Sequence, residues 1–324
     1  MSRAILITGA TGQQGGAVLN ALIARQPHDF LFLAVTRNAQ SPSARRLAAK
    51  SPSVKLVEGD LNNVPSLFQS ARKVAGAVPL WGVYSVQVSM GNGVTLEGEV
   101  RQGKAIIDES VKSGVQHFVY SSVERGGNDR SWENPTPVPH FKTKHEIEHY
   151  LRDSTSCSTP KKAKKSGTSA YATTNTMGWT ILRPVIFMDN LVPGFAGKVF
   201  LTMLRDTIQE KPLQWVATRD IGLFAAEAFH NPEIWNHRAI GLAGDELTFS
   251  QLSLAFQKVT GRPVGTTVGV LGKMLKYGVS EMGDMVDWFK DEGYRADLSE
   301  NARAVPNLMT MEAWLKESAF VKRK

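Results

Sequence analysis

Cysteine and long apolar runs are almost absent from this sequence. Its single cysteine, Cys157, excludes an internal disulfide bond and is typical of a reducing compartment. No apolar run approaches the roughly 18 residues that a membrane-spanning helix requires. No basic segment followed by an apolar stretch marks a secretory leader at the N-terminus. We therefore expect a cytoplasmic protein that has no membrane partner.

Positive charge is scarce outside two short segments, although the formal net charge is +8. The segment PKKAKK contributes four lysines and the C-terminal KRK contributes three more cations, which leaves the rest of the chain nearly neutral. The sequence therefore lacks the continuous basic face of a nucleic-acid-binding domain, and we expect no direct nucleic-acid partner. We interpret the lysines at residues 161–165 as a solvated loop, with a nuclear-localisation or anion-binding role as the alternative.

The apolar runs of the first half are short, and longer amphipathic segments separate them. Runs typical of strands occupy residues 4–8, 30–35, 54–60, 82–86 and 117–122, with room for one helix between each pair. This alternation predicts an α/β fold, a Rossmann doubly wound parallel sheet with right-handed crossovers and a smaller C-terminal α/β region.

We expect three parts along the chain. Residues 1–152 form the Rossmann domain. Residues 153–176 are polar and poor in large apolar side chains, which predicts a flexible basic insertion. Residues 177–324 supply the last strand or strands of the sheet and a region that contacts a substrate or partner. Methionine and aromatic residues near the C-terminus either line a pocket or fill the core, and their helical spacing favours the core.

The first strand leads into a glycine-rich corner, ITGATGQQGGAV. Gly9, Gly12 and Gly15 are spaced G-x-x-G-x-x-G between that strand and a predicted helix. Glycine allows the tight turn and lets backbone N–H groups approach a pyrophosphate, to which the helix N-terminus adds its partial positive charge. Because the strand, the helix and the spacing agree, the corner predicts a dinucleotide site.

A carboxylate is missing at the end of the second strand, where NAD-binding sites use one to bind the ribose 2′-hydroxyl. This strand ends VTRN, and Arg37 follows Gly15 by 22 positions (37 − 15). An arginine at this point accommodates a 2′-phosphate, so we predict NADP(H) as the cofactor and NAD(H) as the less favoured alternative. Asp60, which ends the third strand before Leu61, either contacts the adenine edge or caps the following helix, and the two roles are compatible.

Five segments together resemble the NmrA-like family of atypical short-chain dehydrogenases/reductases: ITGATGQQGGAV, VTRN, EGDL, HFVYSS and GWTILRPVIFMDN. The resemblance implies a Rossmann domain, a smaller C-terminal region, and NADP(H) or NAD(P) bound between them. The family includes fungal nitrogen regulators, a human redox sensor and fungal pathway oxidoreductases. Membership by itself therefore leaves catalysis open.

The tyrosine of the wider superfamily's Y-x-x-x-K signature is absent. The matching segment reads HFKTK, with His140 at the tyrosine position and Lys144 retained, and Ser121 stands where the resemblance puts the catalytic serine. Histidine titrates near neutrality, although an adjacent cation disfavours its protonated form. Three interpretations of His140 and Lys144 stay open: a catalytic pair, a site where Lys144 binds the nicotinamide ribose without turnover, and a solvated helix face.

Resemblance and topology add two contacts, one after the fourth strand and one after the sixth. The residues that we predict to bind the cofactor are Gly9, Thr11, Gly12, Gln13, Gln14, Gly15, Arg37, Asp60, Leu61, Gln87, Lys144 and Asn190. The predicted catalytic residues are Lys144, His140 and Ser121.

Two classes of function compete. We favour an NADPH-dependent oxidoreductase that reduces a small metabolite, in fungal secondary metabolism if the resemblance extends that far. The alternative is a non-catalytic NADPH or redox sensor that acts as a transcriptional co-regulator through a regulatory protein partner. The missing tyrosine favours the sensor, whereas the retained Lys144 favours the enzyme.

Overall fold

The computed structural model describes residues 2–25, 29–89, 91, 93–156 and 177–321. Its strands are β1 (Arg3–Ile7), β2 (Phe30–Thr36), β3 (Val54–Glu58), β4 (Leu80–Ser85), β5 (His117–Ser121), β6 (Gly178–Pro184), β7 (Ile186–Phe187), β8 (Leu213–Val216), β9 (Arg238–Leu242) and β10 (Asp245–Leu247).

The α-helices alternate with these strands in the first half and dominate the second. They are α1 (Gln13–Ala24), α2 (Pro42–Ala48), α3 (Val64–Ala75), α4 (Leu96–Lys112), α5 (Arg130–Glu133), α6 (Pro139–Thr155), α7 (Phe195–Ile208), α8 (Thr218–His230), α9 (Pro232–Trp235), α10 (Phe249–Thr260), α11 (Gly269–Gly278), α12 (Ser280–Asp291), α13 (Leu298–Ala304) and α14 (Met311–Glu317). Short 3₁₀ helices span Leu61–Asn63 and Met188–Asn190. Within these described residues, no helix is both long and apolar enough to cross a membrane.

The main sheet is parallel throughout and has the strand order β3-β2-β1-β4-β5-β6-β9. Its central strands are buried on both faces, which is why their sequences are continuous apolar runs rather than alternating ones. The order reverses between β1 and β4, and a crevice forms at the carboxyl ends of strands at such a point. The predicted α/β doubly wound sheet is confirmed.

The chain after β6 forms a second, smaller layer. Strands β10, β8 and β7 make a three-stranded sheet, in which β8 pairs antiparallel with β10 and parallel with β7. Helices α7, α10, α12 and α14 pack around a core that includes the buried Trp215 and Trp288. The C-terminal aromatic and methionine residues therefore divide: Trp288 and Phe289 are core, whereas Met282 and Met285 line a cleft.

Element boundaries follow local chemistry. Strand β3 ends two residues earlier than predicted because Asp60 turns the chain: its carboxylate accepts a hydrogen bond from the N–H of Asn62 (2.8 Å). A capping box joins Thr248 and Gln251 at the start of α10, as their spacing predicts. Helix α6 continues to Thr155, inside the predicted insertion. The rest of that insertion, residues 157–176 with Cys157 and the lysine cluster, lies outside the described residues, as do the C-terminal residues 322–324.

Candidate active site

The glycine corner has a geometry that only glycine permits. Gly9 has φ +60°, and a Cβ at Gly15 would lie 2.4 Å from the carbonyl oxygens of Thr8 and Gly9. Gly12 is the N-cap residue of α1, where no side chain caps the helix and no acidic residue lies in the first turn. The first N–H groups of α1 are therefore available to an anion, which is the requirement for holding a pyrophosphate.

Basic residues help to line a groove next to the glycine corner. Thr11, Gly12 and Gln13 line a groove of about 880 Å³ together with Arg46 of α2 and Lys50, which follows this helix. Arg37 is exposed at the end of β2. Glu58 on the neighbouring strand accepts a hydrogen bond from the N–H of Ala39 (3.0 Å), and so helps to order the turn that follows Arg37. The predicted 2′-phosphate contact, Arg37, is not among the residues that line this groove.

A second cleft, of about 790 Å³, lies on the other side of the corner. Its polar lining residues are Gln14, Gln87, Ser89, Ser122, His140, Lys144 and Asn190. Most of its other lining residues are apolar, among them Val123, Phe141, Ile186, Phe187, Phe195, Phe200, Leu275, Met282 and Met285. The cleft therefore joins the glycine corner, through Gln14, to the predicted catalytic residues of α6.

Gln87 offers a buried acceptor to the cleft. Its Nε2 donates a hydrogen bond to Oγ of Ser85 (2.8 Å), whereas its Oε1 is buried and has no partner among the described residues. A buried acceptor without a partner costs free energy unless a ligand or water supplies a donor. Asn190 is exposed on the 3₁₀ helix after β7 and lines the same cleft. Asp60 and Leu61 lie farther along the sheet edge, after β3.

Lys144 is buried and paired with a residue that the sequence pattern did not indicate. Its Nζ lies 2.9 Å from Oε1 of Glu99, in the first turn of α4. Ser89 and Thr143 also donate hydrogen bonds to this carboxylate. Burial raises the pKa of Glu99, but the charge of Lys144 and these hydrogen bonds outweigh it, so the pKa lies below its ordinary value.

His140 also has a distant acidic partner. Its Nδ1 lies 2.7 Å from Oε1 of Glu281, in the first turn of α12. Burial lowers the pKa of His140, the hydrogen bond and charge of Glu281 raise it, and nearby Lys144 lowers it; the net pKa is below the ordinary histidine value. Lys144 is thus buried and ion-paired, and His140 is partly buried and hydrogen-bonded to a carboxylate, which contradicts the solvated-helix alternative for these two residues.

Ser121 faces the glycine corner rather than the cleft. Its hydroxyl donates a hydrogen bond to Oε1 of Gln14 (2.6 Å), and its side chain is buried. Ser122, the next residue, lines the cleft instead. Ser121 therefore orients Gln14, and its predicted catalytic role stays a prediction without a geometric contact to the cleft.

Helix α6 also contributes Glu148 to a fully buried ion triad. Glu148 lies 2.8 Å from Nη2 of Arg125 and 2.7 Å from Nη2 of Arg183, and all three side chains are inaccessible to solvent. Burial would raise the pKa of Glu148, but the two arginines outweigh it and hold the pKa at about 2. Local sequence carries no signal for this triad or for Glu99 and Glu281, because each partner comes from a different element.

Comparison with known proteins agrees with this architecture. The model of the NmrA-like family matches residues 1–315. An NmrA-like family domain-containing oxidoreductase of Aspergillus hancockii, hkm9, is 27% identical over 274 residues, which cover 81% of this chain and 73% of that protein.

Two solved structures share the fold at low sequence identity. The Citrobacter sp. triphenylmethane reductase, complexed with NADP(H), has a TM-score of 0.68 and 18% identity, and the alignment covers 98% of this chain and 99% of that one. NmrA, a negative transcriptional regulator in complex with NAD, has a TM-score of 0.67 and 19% identity, with 98% and 95% covered. Because the family model spans almost the whole sequence, this chain belongs to the NmrA-like family.

Proposed function

We propose that this chain is an NADP(H)-dependent oxidoreductase that reduces a small, uncharged and largely apolar metabolite. One observation carries the proposal: Gln14 of the glycine corner lines the same cleft as His140 and Lys144. A dinucleotide that runs from the N-terminus of α1 toward this cleft brings its reactive end to these two side chains. When bound in its reduced form, the nicotinamide would supply a hydride.

The residues of the cleft fit a nicotinamide ribose and its amide. In this proposal Lys144, which is paired with Glu99, donates hydrogen bonds to the ribose hydroxyls, because an ammonium group offers donors only. The unpartnered Oε1 of Gln87 accepts from the carboxamide, and Asn190 bounds the opposite side. In this proposal Lys144 is therefore a binding group, held in place by Glu99.

The substrate class follows from the lining of the cleft. Its apolar wall is built by residues of α7, α11 and α12, and His140 and Lys144 at its polar end are already paired with Glu281 and Glu99. A charged substrate would gain no free counter-charge there and would lose its hydration.

We propose that residues 1–152 bind the cofactor and that the chain from residue 177 completes the sheet and holds the substrate.

Turnover by the purified protein tests this function. NADPH binding is measured by fluorescence, and NADPH consumption is followed with apolar aldehydes, quinones and imines. We expect turnover that Lys144→Ala reduces at least about a hundredfold, since general acid–base and electrostatic groups contribute on this scale. Lys142→Ala, an exposed lysine on the same helix, is the matched control and should keep wild-type activity. NADPH binding without turnover on any of these substrates would refute the enzymatic proposal.

Cofactor preference has its own test. In this proposal Arg37 contacts the 2′-phosphate, with Arg46 and Lys50 nearby, which favours NADP(H) over NAD(H). We expect Arg37→Glu to weaken NADPH binding by about tenfold or more, with NADH binding unchanged or improved. Arg45→Glu is the control, because Arg45 is exposed and hydrogen-bonds Gln40. An equal loss in both variants would show only a general charge effect.

One observation favours the alternative function of a dinucleotide sensor with a protein partner. Val270, Met274 and Tyr277 are exposed at helical spacing on α11 and form an apolar stripe beside the cleft. Such a stripe is typical of a docking surface. Tight NADPH binding without turnover would support the sensor if Met274→Asp also abolished binding to the protein partner.

A further inference from the structure

We propose that Glu281 is a positioning residue that binds Nδ1 of His140 and so presents Nε2 of His140 to the substrate as the proton donor. This inference rests on the oxidoreductase function proposed above. The carboxylate–imidazole pair of Glu281 and His140 takes the place of the tyrosine in the superfamily signature. The two residues are 141 positions apart in the chain.

The geometry of the pair has one free end. Nδ1 of His140 is 2.7 Å from the carboxylate of Glu281, and the imidazole lines the cleft. No described residue forms a hydrogen bond with Nε2 of His140. Nε2 is also absent from the set of buried side-chain atoms that lack a partner. Nε2 is therefore the ring atom that a ligand in the cleft can reach.

The pair is held in place by packing. Phe141 lies with its ring centroid 5.3 Å from that of Trp288, at 82°, and Trp288 is buried in the core. This contact joins the first turn of α6 to α12, so that Glu281 and His140 approach each other from two fixed helices. Glu281 stands in the first turn of α12, where the helix dipole stabilises a carboxylate.

The charges around His140 explain why a carboxylate is needed. His140 lies in the first turn of α6, where the helix dipole disfavours a cation, and Lys144 of the same helix adds further repulsion. Glu99 of α4 is attracted mainly to Lys144 and contributes less at His140. Burial disfavours the imidazolium most and keeps the pKa of His140 below its ordinary value, and Glu281 is the group that most opposes this loss.

Reduction of a carbonyl substrate at this pair requires one hydride and one proton. The reduced nicotinamide, when bound, would supply a hydride to the carbonyl carbon and would itself be oxidised, so that the carbonyl π electrons would become a lone pair on oxygen. That oxygen takes the proton from Nε2 of protonated His140. The ring is left neutral with its remaining proton on Nδ1, still hydrogen-bonded to Glu281, and it is reprotonated from water before the next turnover.

Glu281→Gln keeps the shape of the side chain and removes its charge. We expect the pH midpoint of the His140 imidazole, followed by ¹⁵N NMR and assigned with His140→Asn, to fall by about one pH unit. Turnover of an apolar aromatic aldehyde with NADPH should fall about tenfold near neutral pH and recover toward the wild-type rate at acid pH, where both imidazoles are protonated. Glu312→Gln, which removes the charge of a distant surface pair with Lys258, should change neither measurement.

The outcomes separate the two proposals. Absence of turnover in the wild-type protein would overturn the oxidoreductase function and this inference together. Turnover with an unchanged pH profile in Glu281→Gln, or an unchanged NMR midpoint, would overturn this inference and leave the oxidoreductase function standing. A loss of activity that is equal at every pH would assign Glu281 a merely structural role and would also overturn it.

Discussion

The carboxylate of Glu99 lies 2.9 Å from the ammonium of Lys144, and both side chains are almost entirely removed from solvent. Helix α4 supplies Glu99 and α6 supplies Lys144. Thr143 of α6 also donates a hydrogen bond to the same carboxylate. This pair fixes the position of the Lys144 ammonium at the polar end of the cleft. Its consequences for stability are measurable without a substrate.

We predict that Glu99→Gln lowers the free energy of unfolding by about 3 kcal/mol, because it leaves the Lys144 ammonium buried without a counter-charge. Urea unfolding at neutral pH measures this loss. Glu146→Gln removes an acid of α6 that pairs with Lys104 at the surface, and should cost less than about 1 kcal/mol. Similar losses in the two variants would mean that burial of the Glu99 pair contributes nothing.

The buried triad predicts acid sensitivity. Glu148 has a pKa of about 2 in the folded protein, below the ordinary value of 4.5, so its stabilising contribution is complete above about pH 5 and is lost as the pH falls toward 2. We expect the unfolding free energy to decrease through this window. Glu148→Gln should lose about 3 to 5 kcal/mol at neutral pH and show a weaker dependence on acid, because two buried arginines lose their shared partner.

If Glu148→Gln fails to fold, the acid titration of the wild-type protein still provides the test. The expected signal is a fall in stability between about pH 5 and 2 that is larger than exposed carboxylates produce. Stability that does not change through this window would contradict the assigned role of Glu148.

Asp220 predicts the opposite pH dependence. Burial raises its pKa from 3.8 to about 6, although one oxygen accepts a hydrogen bond from the N–H of Met309; the other has no partner among the described residues. The folded state therefore holds this proton more tightly than the unfolded chain does, and its contribution is lost as the pH rises from about 4 through 6. Asp220→Asn should raise the unfolding free energy at about pH 8 by roughly 1 to 3 kcal/mol.

The control for Asp220 is an exposed aspartate. Asp153→Asn removes a surface partner of Arg152 and should leave stability unchanged within about 0.5 kcal/mol at the same pH. A destabilising effect of Asp220→Asn at about pH 8 would show that the ionised carboxylate is needed by its neighbours, against this prediction.

The glycine corner predicts a graded response to alanine. Gly15→Ala would bring a Cβ to 2.4 Å from two carbonyl oxygens, so the loop must move away from the first turn of α1. We expect NADPH binding to weaken by at least about tenfold, measured by fluorescence titration. Gly16→Ala is the matched control, because its Cβ would meet only one oxygen, at 3.3 Å, and should cost much less affinity. Equal affinities for the two variants would contradict the close backbone approach.

Much of the fold could be predicted because its signals are local. Continuous apolar runs predicted the parallel strands, and the spacing of Thr248 and Gln251 predicted the start of α10, which the capping box confirms. The ends of elements were less predictable. Strand β3 stops at Glu58 and α6 runs on to Thr155, since a turn residue and a helical hydrogen bond decide these points within one or two residues.

By itself, the sequence determined the doubly wound sheet, the glycine corner and the position of His140 and Lys144 on one helix, because periodicity and backbone requirements act over a few residues. Only the tertiary structure decided what these side chains contact. Glu99 and Glu281 are 45 and 141 positions away from their partners, and on a linear pattern they are ordinary charges of helical surfaces. Packing of α4 against α6 removes Glu99 from water, whereas Glu281 of α12 stays partly exposed, and a buried charge requires a partner at hydrogen-bonding distance.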